Sequence, residues 1–133
     1  NLYDSEYCFK TKLYKGAKET LKILAEEKNL ILITNKRISP TEKMLKNSGI
    51  IHFFDDYFSV DPSDILKKDK SILIESTIKD LDINPENSVY IGDTEGDFIA
   101  SNKNGIKFIY AGWGYGDYVE HAHLHLTDIR ELI

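Results

Sequence analysis

The chain has 133 residues, 41% of them apolar and 11% aromatic, which suits one domain with a packed core. Seventeen Lys and Arg against 22 Asp and Glu leave a net charge of −5, so the basic field needed for nucleic-acid or anionic-membrane binding is missing. Apolar runs such as Leu30–Ile33 are far shorter than the ~20 residues of a membrane span, and the lone Cys8 excludes an internal disulfide framework and fits a reducing cytoplasm.

In chain order, the first predicted helix covers about residues 16–28, with Ala17, Leu21, Leu24 and Ala25 on one face of a 3.6-residue period. Leu30–Ile33 is apolar on both faces, as a strand inside a parallel sheet must be. A second helix is expected from Ser39-Pro40-Thr41-Glu42, with Ser39 as cap, Pro40 at the first helical position and Glu42 closing a capping box; Gly49 ends it. Tyr57–Val60 predicts a second strand, and residues 70–81 a third helix striped by Ile74, Ile78 and Leu81. Val89–Ile91 predicts a third strand running into Gly92-Asp93. A fourth helix starts near Gly96–Asp97 and stops at Gly105, and Ile106–Tyr110 predicts a fourth strand. A glycine-rich loop, Gly112–Gly116, follows, and Thr127 is expected to cap a last helix over residues 128–133. Strands and helices alternating in this way predict an α/β domain with a doubly wound parallel sheet.

In such a sheet ligands bind beyond the carboxyl ends of the strands. Two segments there carry suitable chemistry: Thr34-Asn35-Lys36 after the first strand, and Gly92-Asp93-Thr94-Glu95-Gly96-Asp97 after the third. A hydroxyl with backbone amides can hold a phosphate, and two carboxylates four residues apart, in a turn entering a helix, can hold Mg²⁺. The same residue types also serve as ordinary helix caps. A calcium loop is excluded, because Phe98 stands where glycine is required and Asn104 where a bidentate Glu is required.

Together these residues resemble the C-terminal part of a haloacid-dehalogenase-superfamily hydrolase of the phosphoglycolate-phosphatase-like branch. The resemblance runs from about Leu13 to Ile133. Leu13–Ala17 is similar to the segment leading into the helix before that family's second motif. Thr34-Asn35-Lys36 resembles the second motif itself, and Gly49–Phe58 the stretch that follows. Lys68 is matched to the third-motif lysine and Gly92–Asp97 to the fourth, acidic motif, while Trp113–Gly116 resembles the family's ending. Lys68 lies 34 residues after Thr34 and 25 before Asp93, gaps that resemble the family's; Lys67 and Lys70 are its close rivals, and Asp69 stands where the family usually has a proline.

The resemblance implies an Mg²⁺-dependent phosphatase acting on a small phosphate monoester through an aspartyl-phosphate. Thr34, Asn35 and Lys68 would bind the phosphate, Lys68 and Asp93 would be catalytic, and Asp93 would bind Mg²⁺. Asp97 would support the metal directly, through water or through Lys68. The family's nucleophile motif, two aspartates followed by Gly-Thr after an apolar strand, is not matched. Its nearest counterpart, Asp4-Ser5-Glu6, has no Gly-Thr after it. The chain is therefore expected to be the C-terminal part of a longer protein. Residues 1–12 would be the tail of a cap domain or a linker, and 13–133 a core lacking its N-terminal strand. The first and third strands would flank a gap filled by the missing segment or by a second copy.

Other classes remain: a non-catalytic phosphate- or Mg²⁺-binding or interaction module, a related sugar phosphomutase, and a receiver-like signalling domain, which the late position of the acids disfavours. His121, His123 and His125 alternate as on one face of a strand, and an edge strand is favoured over a zinc site. Phe53, Phe54, Tyr57 and Phe58 are expected in the core.

Overall fold

The computed structural model describes residues 16–113 and 118–133. Asp4, Cys8, the Leu13–Lys15 stretch and Gly114–Gly116 lie outside the described residues. Helix α1, Ala17–Glu27, turns Leu21 and Leu24 inward and leads into strand β1, Ile31–Thr34. Helix α2, Ile38–Asn47, and a 3₁₀ turn, Ile51–Phe53, precede strand β2, Asp56–Ser59. Helix α3 spans Lys70–Asp80, β3 Val89–Gly92 and α4 Glu95–Lys103. Strands β4, Lys107–Ala111, and β5, Leu124–Leu126, follow, with a 3₁₀ turn at Ile129–Leu132.

All described strand pairs are parallel. β1 pairs with β2, placing Thr34 beside Ser59, and β3-β4-β5 form a second sheet in which Gly92 lies beside Tyr110. Alternation along β1 explains why helices are needed on both sides. Leu32 joins Leu21, Leu45 and Ile50 in one core, while its neighbour Ile33 joins Leu73, Ile74, Tyr90 and Phe108 in another. β2 repeats the pattern, with Tyr57 against the first core and Phe58 against the second. A strand apolar on both faces thus divides two cores, which is the doubly wound α/β arrangement expected from the sequence. Since Ile33 and Tyr90 share a core, β1 and β3 belong to one layered body, although the described residues do not pair these two strands with each other.

Helix ends are fixed by local chemistry. Gly49 and Gly105, at φ 71° and 72°, follow α2 and α4 in the left-handed region that glycine enters without strain. The expected Ser39 cap is corrected: α2 begins at Ile38 after Arg37, so Ser39 and Pro40 lie within its first turn and no side chain caps it. Glu42, freed from a capping box, instead accepts a hydrogen bond from the Tyr57 hydroxyl at 3.0 Å. That bond to a carboxylate raises the phenol above its ordinary pKa.

At the C-terminus Asp128, rather than Thr127, is the cap, and the last element is a single 3₁₀ turn. The histidines also part company. His123 Nδ1 accepts the Phe108 amide at 3.0 Å, His125 Nε2 lies 2.7 Å from the Val119 carbonyl oxygen, and His121 faces Phe98. Only His125 belongs to β5, and among the described residues no group of three metal-ligating side chains occurs. Among those residues, too, no helix is long and apolar enough to cross a membrane.

Candidate active site

The acidic segment is built by β3 and α4. Val89–Gly92 ends inside the sheet, so Asp93 emerges at its carboxyl end with 5% of its surface exposed. Thr94 adopts extended geometry, and its hydroxyl accepts the Asp97 amide at 3.1 Å, starting α4 at Glu95. This cap sets Asp97 in the first helical turn, where the N-terminal dipole favours a carboxylate. Asp97 is 1% exposed.

The lysine comes from the helix that follows β2 of the other sheet. Beyond β2, residues 61–67 close into a compact loop, with the Asp61 amide bonded to the Lys67 carbonyl at 2.7 Å. The Ser63 hydroxyl and then the Ser63 amide donate to the Asp61 carboxylate, and these bonds hold it below the ordinary carboxylate range. Asp69 then caps α3 by accepting the Ile72 amide at 2.9 Å, which makes Lys70 the first helical residue. Lys70 Nζ donates to Asp97 Oδ1 at 2.6 Å, and its side chain is only 11% exposed. A cation at a helix N-terminus opposes the helix dipole, and the buried Asp97 carboxylate offsets that cost.

The residue that the structure brings to the acidic turn is not Lys68 but its rival Lys70. Lys68 precedes the Asp69 cap and is exposed, whereas Lys70 follows the cap and reaches the acidic turn. The missed signal was the cap: an aspartate followed by Lys-Ser-Ile-Leu-Ile marks a helix start, and a helix start fixes which lysine points inward.

Thr34 ends β1 and is 1% exposed. Its hydroxyl oxygen accepts the Lys36 amide at 3.0 Å, leaving the hydroxyl proton to point elsewhere. Asn35 is exposed on the turn between them. The Lys70–Asp97 pair ties the start of α3, which follows β2, to the start of α4, which follows β3. The carboxyl ends of β2 and β3 thus share one side of the molecule, and Thr34 lies in register with Ser59 at the β2 end. The structure brings Lys70 to Asp97 directly and sets Thr34 and Asp93 as buried residues at strand ends; Lys68 stays at the surface.

A buried carboxylate at a strand end, beside a second that already carries a lysine, fits a hard divalent cation, which needs only one or two protein carboxylates plus water and substrate oxygens. The threonine hydroxyl and the lysine fit the oxygens of a phosphate.

The haloacid dehalogenase-like hydrolase family model matches residues 3–111. The phosphoglycolate phosphatase of Haemophilus influenzae is 27% identical over 114 residues, covering 85% of this chain and 50% of the relative. The chain thus spans about half the length of the curated relatives it matches. Among solved structures, a haloacid dehalogenase-like hydrolase from Streptococcus pneumoniae superposes with a TM-score of 0.81 at 25% identity, over 90% of this chain and 58% of the other. A predicted phosphatase from Clostridium acetobutylicum also gives 0.81 at 25%, over 93% and 62%. With the family match extending over most of its length and through both candidate motifs, the chain belongs to the haloacid dehalogenase-like hydrolases.

Proposed function

We propose that this chain forms the phosphate- and Mg²⁺-binding part of a cytoplasmic phosphatase acting on small phosphate monoesters. The observation that carries the reading is the Lys70–Asp97 pair, which brings a cation from the start of α3 to the first turn of α4, four residues after the buried Asp93. Thr34 donates its hydroxyl proton to a phosphate oxygen, with the exposed turn at Asn35 beside it. Lys70 takes the role expected of Lys68 and neutralises a second oxygen while holding the Asp97 carboxylate in place. Asp93 holds Mg²⁺, supported by Asp97; when bound, the ion withdraws charge from the phosphate.

An aspartate outside the described residues supplies the nucleophile, forming an aspartyl-phosphate that water then hydrolyses. By the family resemblance, it rides on a strand lying between β1 and β3, on a segment that this chain does not contain. The phosphoglycolate phosphatase relatives make 2-phosphoglycolate the first substrate to assay.

The test compares the 133-residue chain with the complete polypeptide on a panel of phosphate monoesters. Mg²⁺-dependent release of phosphate is expected from the complete polypeptide and none above background from the chain alone. Transfer of phosphate between two positions of a sugar, without release, would favour a phosphomutase. Binding without turnover in both would favour a non-catalytic module.

A further inference from the structure

We infer that Ser59 is a positioning residue for the phosphate-binding turn, an inference that rests on the reading of Thr34 given above. Three hydrogen bonds from or within this corner lock the turn after β1 to the end of β2. The Val60 amide donates to the Thr34 carbonyl at 2.9 Å, continuing the ladder one step beyond the strand. The Lys36 amide donates to Thr34 Oγ1 at 3.0 Å. Ser59 Oγ donates to the Lys36 carbonyl at 2.5 Å, across 23 residues of sequence.

The third bond decides the function of the second. Lys36 is thus held at its N–H by Thr34 and at its carbonyl by Ser59, so both peptide units that meet at this residue are tied down and the N–H stays aimed at Thr34. A hydroxyl that accepts one N–H directs its proton away from that donor, so the clasp orients the Thr34 proton before any ligand arrives. The other end of the same strand pair is closed differently. There the Leu30 amide donates to the Asp55 carboxylate at 2.8 Å and the Asp55 amide returns to the Leu30 carbonyl at 2.7 Å. With that closure intact, loss of Ser59 Oγ frees the turn without unpairing β1 from β2.

The experiment measures inorganic phosphate binding to the 133-residue chain by NMR titration at the Lys36 amide, alongside the urea midpoint. Ser59→Ala is expected to weaken phosphate binding about fivefold to tenfold, with the urea midpoint lowered by no more than the loss of one ordinary hydrogen bond. Ser59→Thr, which keeps the hydroxyl, should restore binding. If Thr34→Val weakens binding while Ser59→Ala binds like wild type, the clasp is refuted and the phosphate reading stands. If wild type binds no phosphate, or Thr34→Val binds it unchanged, the phosphate reading fails and the inference with it. A Ser59→Ala chain that loses phosphate only in step with a large fall in urea midpoint also overturns it, since Ser59 would then be merely structural.

Discussion

Lys70 Nζ lies 2.6 Å from Asp97 Oδ1, joining the first residue of α3 to the first turn of α4 with both side chains largely out of water. Each helix packs its own face into the core shared by Leu73, Ile74 and Ala100, so the pair sits above a rigid support. A pair of this kind is costly to bury, so removing one partner leaves an uncompensated charge out of water.

Lys70→Met should destabilise the chain by about 3–5 kcal/mol, the usual cost of breaking a buried ion pair from one side, while Lys68→Met should stay within about 0.5 kcal/mol. Urea unfolding of the two variants distinguishes them. Equal losses would remove the distinction drawn between these lysines.

Thr34→Val preserves shape and deletes the hydroxyl. In the complete polypeptide, loss of one preorganised donor is expected to lower kcat by ~10²–10³. Phosphate hydrolysis at the wild-type rate would exclude Thr34 from the site.

Asp93→Asn keeps the size of the side chain and removes the charge that holds a cation. Mg²⁺ titration of the complete polypeptide should show activation severely weakened. Survival of both activity and its metal dependence would move the metal site elsewhere.

Gly112→Ala is expected to cost about 1–3 kcal/mol through overpacking, because the new methyl would press into the Leu126 carbonyl oxygen and lie 3.2 Å from Thr127 Cα. That carbonyl already accepts the Gly112 amide at 2.7 Å, so the backbones cannot separate without losing the bond. Thermal unfolding, read against Ile99→Ala on the exposed side of α4, measures the difference.

Acid should act at the C-terminal turn in a defined direction. The Thr127 amide, then the Asp128 amide and the Thr127 hydroxyl, donate to the Glu131 carboxylate and hold it below its ordinary range. A lowered folded-state value means that this stabilisation is fully present above the ordinary carboxylate value and is lost as pH falls through the lowered one. Wild type and Glu131→Gln should therefore differ in urea midpoint at neutral pH and converge in strong acid. A gap independent of pH would show that the charge on Glu131 contributes nothing.

The sequence by itself determined the order of elements and both motif-bearing strand ends. The signals are local: Leu30–Ile33 is apolar at consecutive positions, so it must be covered on both faces, and Gly49 and Gly105 mark helix ends by their backbone freedom. The placement of Thr34, Asp93 and Asp97 was legible for the same reason, since each sits at the end of a readable strand or the start of a readable helix.

Tertiary structure alone decided which lysine pairs with the acidic turn. Within Lys67-Lys68-Asp69-Lys70 all three lysines have the same chemistry, and the choice depends on Asp69 capping α3 and on where α4 stands beside it. The separate partners of His121, His123 and His125 were equally beyond reach, because alternation predicts a shared face only where the backbone is a strand, and β5 holds just one of them. The Ser59 clasp spans 23 residues and exists only because parallel pairing sets Thr34 beside Ser59, a register that no local pattern in either strand encodes.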